Sequence, residues 1–153
     1  MSTTLITNIS EAFLSDAAHT LIENAAILID GEDIAWVGEA EHAPEADSVI
    51  DAGQRAALPG WVDSHSHLVF AGDRSREFVA RMAGQDYAAG GIAVTTKATR
   101  AASDYDLTRL VMGRAAEALA GGTTYLETKT GYGLNVEEEA RHARIASTVV
   151  DQV

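Results

Sequence analysis

The first 58 residues alternate between short runs of hydrophobic and polar positions, and this pattern favours β-strands over helices. TLITNI is a first strand candidate, and AAILI and IAWVGE flank the turn DGED. The Asp30-Gly31 step of this turn is typical of a β-hairpin, because both residue types tolerate positive φ. SVIDAG and RAAL follow as further short extended segments. Residues 1–58 are therefore predicted to form a small β module of about three to five strands.

After residue 58 the pattern changes to an alternation of strands, loops and helices. WVDSHSHLVFA follows Pro59-Gly60 and predicts a strand, and residues 75–83 predict a short helix. The segment from Gly84 to Ser103 is rich in loop-forming residues, and its run IAVTT has the composition of an extended segment. TTYLETKT predicts a second strand.

Two helices in this second part have clear start and stop signals. Ser103 is a good N-cap for a helix that ends at Gly121-Gly122, with apolar residues at helical spacing in between. Asn135 caps a second helix, and Glu138 stands three residues later, as in a capping box. The order β-α-β-α implies parallel strands. Because two parallel strands cannot bury both of their faces, the pattern predicts an α/β fold that is cut short.

Composition narrows the classes of function. The formal net charge of −12 repels polyanions, so we expect no nucleic-acid partner. Cysteine is absent, which excludes a disulfide framework, a thiolate zinc site and a cysteine nucleophile. The sequence shows neither a signal-peptide pattern nor an apolar run of membrane-spanning length. We therefore expect a cytoplasmic protein without a membrane partner.

Two histidines stand two residues apart near the end of the first predicted strand of this second part, in the run PGWVDSHSH. Residues i and i+2 of a strand face the same side, so His65 and His67 would project together. Two neutral imidazoles held this way form half of a site for zinc or iron. A His-x-His pair alone is common. Burying two unpaired imidazoles costs free energy, however, and this favours a ligand between them.

The longer run PGWVDSHSHLVFAGDRSREF resembles the first barrel strand and loop of the imidazolonepropionases, within the amidohydrolase superfamily. GGIAVTTKATRAAS and LETKTGYGL are also similar to that family, and together these segments cover about residues 59–135. The resemblance implies an α/β fold with two parts. Residues 1–58 would be strands of a small β-sandwich module, and residues 59–153 would be the first two βα units of a metal-dependent (β/α)8 barrel that is incomplete in this chain.

The resemblance also implies roles for individual residues. His65 and His67 match metal ligands for one divalent or trivalent ion, zinc or iron. Arg74 and Tyr132 match residues that contact the substrate, and the planar guanidinium of Arg74 suits a carboxylate. Without the motif, Arg74 would be interpreted as a solvated loop residue. The implied reaction is hydrolysis of 4-imidazolone-5-propanoate to N-formimidoyl-L-glutamate in histidine breakdown, and a homodimer is an option for the full-length enzyme.

Other polar residues have simpler interpretations. Asp63 is expected to support the end of the strand rather than bind metal. Lys129 and Glu127 are expected to be structural or to support the site from outside it. His142 lies in a helix rich in Glu and Arg and is expected to be solvated, and His42 lacks a partner at ligand spacing.

Two alternatives stay open. Another cyclic amidohydrolase or a deaminase shares the general pattern PGxxDxHxH, although LVFAGDR and the GYG loop are narrower signals. Alternatively, the chain as it stands is an inactive fragment that binds metal weakly at most. Catalytic zinc usually takes three protein ligands, and neither a third ligand nor the general acid or base is recognisable here.

Overall fold

The computed structural model describes residues 2–84 and 91–149. Two compact units divide the chain, Met1–Pro59 and Gly60–Val153. Each unit has its own secondary structure and its own group of buried side chains.

The first unit contains a four-stranded sheet with the order β3-β2-β1-β4. Its strands are β1 (Thr3–Phe13), β2 (Leu21–Asp30), β3 (Asp33–Glu39) and β4 (Ser48–Asp51), and a 3₁₀ helix (Ala40–His42) follows β3. β1 pairs antiparallel with β2 and parallel with β4, and β2 pairs antiparallel with β3. The expected β module is thus present, and β1 extends well beyond TLITNI. RAAL forms only an isolated bridge between Ala57 and Ala12.

The turn between β2 and β3 is the hairpin that the Asp-Gly step predicts. Asp30 pairs with Asp33 across the turn, and Gly31 has a φ of 62°, a conformation that suits glycine. Buried apolar side chains of β1 and β2 hold the sheet together, and smaller or half-buried side chains pack around them. The buried members of this cluster are Ile9, Ala12 and Ala25.

The second unit alternates strands and helices. Its elements are β5 (Trp61–Ser66), α1 (Ser75–Met82), α2 (Gly91–Ala101), α3 (Asp104–Ala120), β6 (Thr123–Thr128) and α4 (Val136–Ser147). β5 and β6 pair in parallel, with Ser66 opposite Thr128 at their carboxyl ends. The two helices that the sequence predicts begin at their expected caps. Ser103 accepts a hydrogen bond from the backbone N–H of Asp106 at 3.1 Å, and Asn135 accepts one from that of Glu138 at 2.9 Å.

A cluster of buried apolar side chains lies between α3, α4 and the segment that follows β5. Each such side chain, once fully buried, stabilises the unit by about 1.5–3 kcal/mol. The buried members are Val69, Leu107, Val111, Ile145 and Val149.

The prediction of an extended run within IAVTT is wrong, because these residues belong to helix α2. The threonines of α2 are buried, and the Thr99 hydroxyl donates to the carbonyl of Thr95 at 2.7 Å and accepts from the backbone N–H of Ala71 at 3.0 Å. Burial and these hydrogen bonds override the weak helix propensity of β-branched residues. Residues 85–90 of the same predicted loop lie outside the described residues. The first predicted strand of this unit also ends earlier than expected, at Ser66.

The prediction that His142 is solvated is wrong as well. Its side chain is fully buried, and both ring nitrogens lack a hydrogen-bond partner among the described residues. His142 stands three residues before Ile145 on α4 and therefore shares its buried face.

Across residues 2–84 and 91–149, none of the helices combines the length and the apolar character that crossing a membrane requires.

Candidate active site

His65 and His67 lie side by side at the carboxyl end of β5. Their ring centroids are 5.2 Å apart, and the rings meet edge to face with an interplanar angle of 69°. His65 is exposed, whereas His67, just past the last residue of the strand, is half-buried. The period of two residues along the extended backbone brings the two rings to one side.

The surroundings of His67 fit a metal ligand. Its Nδ1 atom is buried and has no hydrogen-bond partner among the described residues. Burying a nitrogen without a partner costs free energy. A metal ion that accepts the lone pair of the imidazole nitrogen would remove that cost. Histidine nitrogens are ordinary ligands of zinc and of iron. The pair therefore supplies two suitable donors, and its assignment as a metal site stays a prediction.

Asp63 stabilises the backbone that carries this pair. Its Oδ1 accepts a hydrogen bond from the backbone N–H of His65 at 3.0 Å, and its other carboxylate oxygen accepts from the Ser66 hydroxyl. The Ser66 hydroxyl, followed by the His65 amide, holds the pKa of Asp63 below its usual value. These contacts occupy the carboxylate within the turn at the end of β5.

Tyr132 reaches the histidines from the loop that follows β6. The ring centroids of Tyr132 and His67 are 5.7 Å apart. Gly131 makes this approach possible, because a Cβ atom at that position would lie 2.8 Å from Cε1 of His67. The loop is held on its other side by Arg100, which donates to the carbonyl of Gly133.

Arg74 lies directly before α1, and its carbonyl accepts a hydrogen bond from the backbone N–H of Phe78 at 3.1 Å. The residue is exposed. The structure therefore brings His65, His67 and Tyr132 together, whereas the convergence of Arg74 on the same site remains a prediction.

Lys129 and Glu127 form an ion pair with each other at the end of β6. Each side chain is about half exposed, at 50% for Lys129 and 48% for Glu127. The hydrogen bond and positive charge of Lys129 lower the pKa of Glu127. The backbone N–H of Lys129 also donates to the carbonyl of Ser66 at 2.8 Å, which joins the ends of the two strands.

In the first unit, His42 lies near two carboxylates, so the expectation that it lacks a partner at ligand spacing is wrong. Its Nδ1 is 3.6 Å from Glu39 and 3.8 Å from Glu41. All three side chains are exposed. Such contacts are ordinary for solvated charges on one turn of chain.

Sequence reasoning missed Arg114 and Phe70, which lie next to the site. Phe70 packs on Tyr132, with ring centroids 5.6 Å apart, and the Arg114 guanidinium carbon lies 3.5 Å from the centre of the Phe70 ring. The signal for Arg114 was available. It follows Leu107 by seven residues and Val111 by three, so a charged residue occupies the apolar face of α3.

No protein-family model matches the chain. Among curated proteins, the chain is 66% identical over 150 residues to an imidazolonepropionase of Arthrobacter sp. (strain FB24), an alignment that covers 98% of this chain and 38% of the relative. At this identity over nearly its whole length, the chain is a homologue of the imidazolonepropionases. The resemblance drawn from its motifs is thereby confirmed. The chain spans about two fifths of the length of the curated relatives it matches.

Solved structures of several enzymes are similar to this chain in fold. N-isopropylammelide isopropylaminohydrolase from Burkholderia multivorans matches with a TM-score of 0.62 at 25% identity, over 100% of this chain and 36% of that one. Atrazine chlorohydrolase from Arthrobacter aurescens, in a complex with zinc, matches with a TM-score of 0.62 at 20% identity, over 96% and 34% of the two chains. The shared part is therefore about a third of an amidohydrolase-superfamily fold, with a sheet-rich start and without a completed barrel in the described residues.

Proposed function

We propose that this chain contributes the metal-binding strand and part of the substrate pocket of an imidazolonepropionase, which hydrolyses 4-imidazolone-5-propanoate to N-formimidoyl-L-glutamate. The observation that carries the proposal is the grouping of His65, His67 and Tyr132, with ring centroids 5.2 and 5.7 Å apart, in a chain 66% identical to an imidazolonepropionase.

His65 and His67 would hold one ion, zinc or iron. Zinc is supported by its presence in the similar atrazine chlorohydrolase structure. When bound, such an ion supplies Lewis acidity, which polarises a carbonyl group and lowers the pKa of water. The Asp63 hydrogen bond to the His65 amide keeps the strand end in the conformation that presents both rings.

Substrate binding would use an aromatic and a cationic side chain. The Tyr132 hydroxyl can donate to or accept from a polar atom of the imidazolone ring. The guanidinium of Arg74 would bind the propanoate carboxylate in a bidentate manner, which an ammonium group cannot reproduce. A local cation is needed, since the chain as a whole carries a net charge of −12 and would otherwise repel an anionic substrate.

In this proposal β5 and β6 are the first two strands of a (β/α)8 barrel, and the sheet of the first unit belongs to a β-sandwich module. Loops that follow neighbouring parallel strands share one end of such a barrel, where catalysis occurs. The enzyme would act in the cytoplasm on a small-molecule substrate, with no nucleic-acid or membrane partner. A homodimer is compatible with this arrangement.

The test is a chimeric enzyme in which residues 1–153 of this chain replace the aligned part of the Arthrobacter relative. We expect metal-dependent consumption of imidazolone propanoate, and a loss of at least about a hundredfold in kcat/KM for His65→Ala or His67→Ala. His42→Ala, which changes an exposed histidine in the other unit, is the matched control. A folded, metal-loaded chimera that leaves imidazolone propanoate intact but deaminates another cyclic substrate would replace this proposal with the deaminase alternative.

A further inference from the structure

We propose that Arg114 is a positioning residue for Tyr132, which it holds against His67 through the ring of Phe70. This inference rests on the substrate role proposed above for Tyr132. It concerns a helix residue that the proposed reaction does not itself use.

Arg114 fixes the chain that leaves the histidine pair. From helix α3, its Nη1 atom donates hydrogen bonds to the carbonyls of Leu68 at 2.6 Å and of Phe70 at 2.8 Å. Leu68 directly follows His67, and its backbone N–H donates to the Thr128 hydroxyl at 3.2 Å. Both polar groups of the Leu68 backbone are therefore bound to other elements of the unit.

A series of side-chain contacts connects Arg114 with His67 through two aromatic rings. The guanidinium carbon lies 3.5 Å from the centre of the Phe70 ring, which is the geometry of a cation–π contact. The Phe70 ring packs on Tyr132 at 5.6 Å, and the Tyr132 ring packs on His67 at 5.7 Å. Each of these ring distances lies in the range in which aromatic pairs attract one another.

A half-buried position on an apolar helix face is unfavourable for a charged side chain unless its polar atoms form hydrogen bonds. Arg114 occupies the apolar face of α3, and burial lowers the pKa of its guanidinium, a shift that Glu117 and Tyr132 oppose. Within residues 2–84 and 91–149, its hydrogen bonds go to the backbone carbonyls of Leu68 and Phe70. Removing part of a guanidinium from water costs free energy, and the hydrogen bonds to the Leu68–Phe70 segment offset that cost.

Tyr132 needs such a support because its own backbone is permissive. It stands between Gly131 and Gly133, and glycine allows a loop many conformations. Gly133 is held by Arg100 and by α4, but the Tyr132 ring has its described aromatic contacts only with Phe70 and His67. A rigid Phe70 therefore selects one orientation of the Tyr132 ring.

The first test observes Tyr132 directly. A 3-fluorotyrosine is placed at position 132 of the 153-residue chain, and its ¹⁹F NMR signal is recorded. Arg114→Met keeps an unbranched apolar stem but removes both hydrogen bonds and the charge, so we expect the signal to shift and broaden. Arg114→Lys keeps a cation, so its signal should lie between that of the unchanged chain and that of Arg114→Met. Arg109→Met, on an exposed position of the same helix, is the matched control and should leave the signal unchanged.

Phe70→Leu keeps the main-chain carbonyls that Arg114 binds but removes the ring between Arg114 and Tyr132. Phe70→Leu should therefore displace the Tyr132 signal as Arg114→Met does. If Arg114→Met does not fold, Phe70→Leu still tests the proposal. An unchanged signal in both variants would overturn the proposal.

The second test uses the chimeric enzyme and a double-mutant cycle. We expect Arg114→Met to raise KM about fivefold to tenfold while kcat changes less, because a misplaced Tyr132 weakens substrate binding. In a Tyr132→Phe background the same change should add little, since the hydroxyl that Arg114 positions is gone. Additive effects would assign Arg114 a general structural role and overturn the inference. If the ¹⁹F response occurs but imidazolone propanoate is not a substrate, the positioning role holds and the proposed function fails.

Discussion

The carboxylate of Glu139 accepts a hydrogen bond from the backbone N–H of Gly133 at 2.9 Å, so helix α4 holds the loop that carries Tyr132. The same oxygen accepts a second bond from Leu134 at 2.8 Å. Gly133 has no room for a side chain, because its Cβ would lie 2.7 Å from the backbone nitrogen of Glu139. The first turn of α4 and the glycine loop therefore form one packed unit.

We expect Glu139→Ala to destabilise the fold by about 1–3 kcal/mol, since it removes the acceptor of the partly buried Gly133 amide and of the exposed Leu134 amide. Urea unfolding of the 153-residue chain measures this. Glu137→Ala, at an exposed position in the same turn, is the control and should cost less than about 1 kcal/mol. Equal losses in the two variants would mean that the loop contact contributes nothing beyond the general effect of an acid at a helix N-terminus.

Gly131→Ala should weaken metal binding. The new Cβ would lie 2.8 Å from Cε1 and 3.1 Å from Nδ1 of His67, so either the loop or the imidazole must move. We expect zinc affinity, measured by calorimetry on the 153-residue chain, to fall roughly tenfold or more. Gly113→Ala is the matched control, because its Cβ would meet nothing within 4 Å in the middle of α3. That substitution should leave zinc affinity unchanged and stabilise the helix by about 0.5–1 kcal/mol.

Most elements of the second unit could be predicted because their signals are local. Ser103 and Asn135 cap their helices as expected, and β5 and β6 follow from apolar runs that end in polar residues. The two histidines at a spacing of two residues needed nothing beyond strand geometry to be brought together.

The predictions for His142 and for IAVTT were wrong for the same physical reason. In both, tertiary packing overrides the local sequence signal. His142 was judged by its charged neighbours along the chain, although Ile145 three residues later and Val149 seven residues later mark its position as buried. The run IAVTT was judged by β propensity, and the buried threonine face of α2 overrides it. The contact between Arg114 and Phe70 joins residues 44 positions apart, and the periodicity of a helix or strand cannot predict a contact at that separation.

His142 should make the stability of the chain depend on pH in a defined direction. Burial lowers its pKa from the ordinary value of 6.5, although Glu139 and Glu138 oppose the shift. The folded state therefore takes up this proton less readily than the unfolded state does. Stability from this group is complete above pH 6.5 and is lost as the pH falls below that value.

Urea unfolding between about pH 8 and pH 5.5 tests this dependence. His142→Leu removes the titrating group and keeps an apolar side chain, so we expect a flatter dependence on pH than in the unchanged chain. His19→Asn, which changes an exposed histidine, should leave the slope as it was. A slope that is identical with and without His142 would show that this imidazole is protonated equally in both states.

The 153-residue chain by itself should bind one zinc ion weakly and should not turn over imidazolone propanoate. The described residues bring two imidazoles together at the end of β5, whereas catalytic zinc usually takes three protein ligands. Calorimetry should therefore detect binding that weakens in His65→Ala and in His67→Ala and disappears in the double variant. His42→Ala should change nothing, because His42 lies in the other unit. Full zinc binding in the double variant would place the ion elsewhere, and the exposed group of Glu39, Glu41 and His42 would then be the first region to examine.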